Sequence, residues 1–155
     1  MHFACGPNTG FSLVELLLVV ALLAVIAMFA VPRFGGDVLG RSAVSAAARE
    51  TAADMRLCRS LAVTKAAGNQ QGFAVRLTPG PTYSGYELVN LLTSAVVSDK
   101  VFPASVTCTG DAEFRFGPLG NLKAGSGTAL TLSGDGKQIV LQLNAATGSV
   151  AVEEQ

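Results

Sequence analysis

Tryptophan is missing from this chain, histidine nearly so, and charge is sparse. The one histidine is His2, so residues 11–155 hold no imidazole for general-base chemistry or for a metal site. Cys58 and Cys108 therefore have no histidine to activate them as nucleophiles. Lys and Arg number 11 against 11 Asp and Glu, and charged residues make up only 14% of the chain. A balanced, weakly charged chain has no long-range attraction for nucleic acid or anionic lipid. With 17 glycines it suits an extracytoplasmic β-rich domain that packs against like subunits better than a free monomer. The carboxylates are scattered. Glu153-Glu154 is a terminal pair of the kind that is usually just solvated. Asp135 sits in a turn pattern that favours Asp for backbone reasons. Asp111 and Glu113 are too few for a calcium loop. Gly117, Gly120, Gly125 and Gly127 precede no helical pattern, so a phosphate-cradling loop is absent as well. No catalytic residue, cofactor or metal is expected.

What is present is concentrated at the N-terminus. Residues 10 to 15 read Gly10-Phe11-Ser12-Leu13-Val14-Glu15, and an apolar run continues to Val31. From Phe11 to Val31, Glu15 is the one formally charged side chain. As a helix at ~1.5 Å per residue that stretch spans about 32 Å, close to the ~30 Å of a hydrocarbon core. A carboxylate at the mouth of such a segment is costly in lipid and needs a function. No small-x-small cleavage site follows the run; Val31-Pro32-Arg33-Phe34 stands there instead, which is wrong for an ordinary secretory signal. The leader also departs from the positive-inside pattern. Residues 1–10 have no Lys or Arg, whereas Arg33, Arg41 and Arg49 lie beyond the run. Either a basic leader precedes Met1 or the assembly machinery sets orientation.

The segment Gly-Phe-Ser-Leu-Val-Glu with its Leu/Val run resembles the class III signal of type IV pilins and type II secretion pseudopilins. The resemblance implies cleavage by prepilin peptidase between Gly10 and Phe11 and N-methylation of Phe11. It implies that Glu15 serves as the charge for assembly, paired with a neighbour's α-amine. In lipid, opposite charges a few ångströms apart attract far more than in water, so pairing would offset the cost of burying both. Pro32 falls where this family commonly has a proline. That residue cannot donate its backbone hydrogen bond, and with Gly35-Gly36 it predicts a kink or break in the helix.

Beyond the glycines the helical pattern resumes from Arg41 to Ala67. Val44, Ala48, Thr51, Met55, Cys58 and Ala62 recur at steps of three or four and make one apolar stripe. Ala67-Gly68-Asn69 is a helix-stop signal. The period then changes. Short strands are expected at 72–77, 83–92, 95–102, 105–108, 113–116, 128–132, 137–143 and 149–152, separated by Gly- and Pro-containing turns. The expected fold class is α+β and pilin-like: a long N-terminal helix, transmembrane and then amphipathic, packed on an antiparallel β-sheet domain. The expected divisions are a leader 1–10, a transmembrane and filament-core helix 11–34, an amphipathic half 35–69 and a β-domain 70–155. Cys58 and Cys108 are candidates for a disulfide tying helix to sheet, but Cys58 at an apolar helix position is equally a common place for a free core thiol.

The downstream segments Arg59-Ser60-Leu61-Ala62, Phe114-Arg115-Phe116-Gly117-Pro118-Leu119-Gly120 and Gln138-Ile139-Val140-Leu141 with Thr147-Gly148-Ser149-Val150 resemble the GspH/FimT branch. That resemblance implies a minor pseudopilin of a type II secretion system, anchored once in the inner membrane with its C-terminal domain in the periplasm or outside, and placed at or near a pseudopilus tip. The implied partners are other pilin or pseudopilin subunits, prepilin peptidase, the inner-membrane assembly platform and secreted cargo. The alternative is a type IV pilus minor pilin of the FimT type used in DNA uptake. Relatives that bind DNA carry a Gly-Arg-x-Arg-like pattern near the C-terminus. Here that place reads Gly148-Ser149-Val150-Ala151 and is followed by Glu153 and Glu154, which repel phosphate. Arg49, Arg56, Arg59 and Lys65 form a basic cluster on the helix, read as a solvated face or subunit contact rather than a nucleic-acid site.

Overall fold

The computed structural model describes residues 12–30 and 37–155. These fall into two compact units divided between Gly36 and Asp37. The first holds helix α1, Leu13–Ala30. Ser12 caps it: its carbonyl accepts the amides of Glu15 and Leu16 at 3.0 and 3.1 Å. Apolar residues cover every side of α1, and its large apolar side chains from Leu13 to Met28 are exposed. A helix of this composition needs lipid or a partner around it. At 18 residues it is about 27 Å long. Among the described residues no helix is long and apolar enough to cross a membrane. The expected span 11–34 runs past the described part at both ends.

The second unit starts with helix α2, Asp37–Thr64. It is followed by strands β1 (Phe73–Leu77), β2 (Gly85–Asn90), β3 (Val96–Val101), β4 (Thr107–Gly110), β5 (Glu113–Phe116), β6 (Ala129–Gly134), β7 (Lys137–Leu143) and β8 (Val150–Glu154). They form two antiparallel four-stranded sheets, in the orders β3-β2-β1-β5 and β4-β6-β7-β8. Helix α2 lies across both, touching β1 and β5 of the first and β6, β7 and β8 of the second. This is an α+β fold with the helix against antiparallel sheet, as the change of hydrophobic period predicts.

The core follows from those periods. The α2 stripe Val44, Ala48, Thr51, Met55, Cys58 and Ala62 is buried without remainder. It meets Phe73, Val75 and Leu77 of β1, Phe114 and Phe116 of β5, and Leu130, Leu132 and Leu141 of the second sheet. Thr51 is the polar exception, and its hydroxyl donates to Ala47 O at 2.8 Å, so nothing is left unsatisfied. Tyr86 reaches the core rim and donates to Asp54 Oδ2 at 2.8 Å. Helix α2 ends at Thr64, a little before Ala67, and a run of turns continues to Asn69. Buried Asn69 closes that end by accepting the amides of Gln71 and Gly72 and donating to Gly72 O and Asn90 Oδ1. Asp135 and Gly136, both at positive φ, form the two-residue turn between β6 and β7. Asp-Gly suits the primed turns that tight hairpins prefer.

Candidate functional site

Two places gather the residues singled out in the sequence: the N-terminal end of α1 and one flank of α2. At the first, Glu15 occupies the third position of the helix, with Ser12 as the cap. The Glu15 amide also lies 3.4 Å from Ser12 Oγ, a long contact. Ser12-x-x-Glu15 before an apolar run is a capping-box pattern legible in the sequence. A carboxylate in the first turn also complements the positive end of the helix dipole. Glu15 therefore has a local role at its own helix end, independent of any partner. Gly10, Phe11 and Pro32 lie outside the described residues.

The flank of α2 carries the arginines. Arg41 Nε donates to Asp135 O at 3.3 Å, Arg56 Nη2 to Val150 O at 3.2 Å, and Arg59 Nε to Gly120 O at 3.2 Å. Three of the helix arginines thus fasten it to the β6–β7 turn, the start of β8 and the loop after β5. Hydrogen bonds from charged donors are stronger than neutral ones. Arg49 remains exposed. The basic cluster, read as a solvated face or subunit contact, also contributes at Arg56 and Arg59 to holding the scaffold. Sequence periodicity places these residues on a flank but cannot say that segments 94 and 61 residues away end beneath them.

Several acidic groups are engaged as well. Glu113 accepts from Arg115 Nε at 2.6 Å and from Arg76 Nη2 at 2.9 Å. Partial burial raises its pKa, but the hydrogen bonds and charges of Arg115 and Arg76 outweigh that and hold it below the ordinary value. Asp111 Oδ2 accepts the amides of Thr128 and Ala129 at 2.7 and 3.0 Å. Glu50 pairs with Lys100 at 2.8 Å and Glu154 with Lys137 at 2.8 Å, all near the surface. Among the described residues no group of His, Cys, Asp and Glu could hold a metal ion. Cys58 and Cys108 are both free and buried; the candidate disulfide is not formed. Burial pushes the Cys108 thiol up to about 12, and burial followed by the Asp54 charge pushes Cys58 higher still. Thiols so protonated are poor nucleophiles and poor metal ligands.

With this geometry in place, comparison with known proteins adds one match. Residues 7–31 match the prokaryotic N-terminal methylation motif. No curated protein and no solved structure matches the chain significantly. The matched segment contains Gly10, Phe11, Ser12 and Glu15 together with all of α1. The chain thus carries a prepilin-type methylation motif of the pilin and pseudopilin class on a pilin-like α+β fold. The motif implies processing by prepilin peptidase, anchorage in the inner membrane and assembly with pilin subunits.

Proposed function

We propose that this chain is a minor pseudopilin of a type II secretion system, cut between Gly10 and Phe11, methylated at Phe11, and assembled at or near the tip of a periplasmic pseudopilus. The observation that carries the reading is the methylation motif over residues 7–31 on a helix that is apolar all round except for Glu15 in its first turn. Such a helix is stored in lipid and then exchanges lipid for the helices of like subunits. Glu15 pairs with a neighbour's Phe11 amine and sets axial register, because two charges buried together cost less than either alone. The role is structural, with the second unit facing outward.

A FimT-type pilin used in DNA uptake has less support. The chain carries no net charge, and its last strand ends on exposed Glu153 and Glu154 rather than on arginines. A duplex is held by many cations, and this chain has no surplus of them.

Processing is the decisive test. Co-expression with a prepilin peptidase should yield a chain that begins at Phe11 with a methylated amine, seen by intact-mass spectrometry. Gly10→Asp should retain the leader. A wild-type leader left intact, or a Gly10→Asp chain cut as well as wild type, rules the reading out.

A further inference from the structure

The second unit has a hollow of about 280 Å³ on the arginine flank of α2, lined by Arg56, Arg59, Ser60, Val63 and Thr64. Steps of three and four along a helix put these side chains together. Both guanidinium groups are held from behind, Arg56 by Val150 O and Arg59 by Gly120 O, each at 3.2 Å. A guanidinium has five N–H donors, so most remain available to a ligand. No carboxylate lines the hollow, and among the described residues neither arginine is in an ion pair. Ser60 and Thr64 bring two hydroxyl-bearing side chains to the same lining. Two oriented cations and two hydroxyls without a counter-charge are a receptor for an oxyanion.

The rim narrows the class of ligand. Val63 is half exposed, and Leu119, at 87% exposure, stands on the turn beside it. The turn is close, since a Cβ on Gly120 would lie 3.0 Å from Val63 Cγ2 and 3.1 Å from Arg59 Nε. An aliphatic rim beside a pair of guanidinium groups fits a carboxylate with an aliphatic neighbour. A phosphodiester backbone has no apolar group to place there.

We propose that this hollow takes an acidic side chain with an aliphatic neighbour from an adjoining protein subunit, making it a contact by which the second unit selects its partner. The inference rests on the assembly reading for the partner's identity, while the chemistry of the hollow stands by itself.

The test uses the full chain in detergent micelles, with arginine side chains labelled for NMR. The probe is the blocked tripeptide Leu-Glu-Leu, with Leu-Gln-Leu as its neutral match. The Nε–H signals of Arg56 and Arg59 should move saturably with the Glu peptide and about tenfold more weakly with the Gln peptide. Ser60→Asp sets a carboxylate inside the hollow at an exposed helix position, so the fold should survive and the response should vanish. Equal response to both peptides, no response up to about 10 mM, or an unchanged response in Ser60→Asp would overturn the proposal. Preference for a short DNA duplex over the peptide would overturn it too and make phosphate the ligand. In cells, Ser60→Asp should keep leader removal and lose co-purification with its partner subunits; unimpaired co-purification counts against the proposal. Failure of wild-type leader removal strikes the assembly reading instead and leaves the peptide result standing.

Discussion

Glu113 illustrates how neighbours set the chemistry of one side chain. Sequence places it at the start of an expected strand, two residues after Asp111, and points to nothing more. In the fold, Arg115 on the same strand and Arg76 across the β1–β5 pairing both donate to it. Its folded pKa is lowered from an ordinary 4.5, so the stabilisation it gives is present above that value and lost as pH falls through the folded value. Glu113→Gln should cost up to about 1 kcal/mol at neutral pH, with both arginines half exposed and partly screened. The difference from wild type should close in strongly acidic solution. Urea unfolding of both proteins at neutral and acid pH measures it, and a gap that does not depend on pH would show that the ion pairs contribute nothing. Cys58 and Cys108 give the complementary lesson. A candidate disulfide follows from their presence, yet burial explains both as free core thiols.

Among elements, α2 and the β6–β7 hairpin were the most legible, because their signals are local. The six-residue apolar stripe is the buried face of α2, and Asp135-Gly136 makes the two-residue turn. Other glycines draw their meaning from distant backbone. Gly148 has φ +64, and a Cβ there would run into Gly120 O and sit 3.3 Å from Arg59 Cδ. The β7–β8 turn and the loop after β5 therefore meet over Arg59 only if residue 148 has no side chain. Gly148→Ala should destabilise by about 1–3 kcal/mol, combining a strained left-handed backbone with a displaced loop. Thermal unfolding should show this as a lower midpoint, and a midpoint equal to wild type would mean that the two loops part without cost.

At the scale of the whole molecule, the described residues of the first unit form no core, whereas the second unit has one. Helix α1 exposes Leu and Val all round, which is stable only inside lipid or among other helices. Its single charge can then be assigned by substitution. Glu15→Leu should insert into the membrane at least as well as wild type, because it makes the segment more apolar. It should also be processed normally and fail to assemble with partner subunits. Membrane fractionation and co-purification separate these outcomes. Normal assembly of Glu15→Leu would leave the helix-end role of Glu15, opposite the Ser12 cap, as its whole function.

The sequence by itself determined what depends on neighbours along the chain. That includes the methylation motif at the mouth of an apolar run, the α2 stripe, and eight strands close to the predicted places. These are periodicities and turn chemistries within about ten residues, and they survive in any fold the chain could adopt. Tertiary structure alone decided how the strands divide. β5 leaves its sequence neighbour β4 to pair with β1, and β4 pairs with β6, giving two sheets beneath one helix. It also decided that Arg41, Arg56 and Arg59 serve backbone carbonyls, that Asp135 lies close against Gly40 of α2, and that Cys58 and Cys108 remain unbonded. The reason is common to all of these. Each depends on which distant segments the shared core brings together, and that is set by filling one volume with Phe73, Phe114, Phe116 and Met55 rather than by any pattern along the chain.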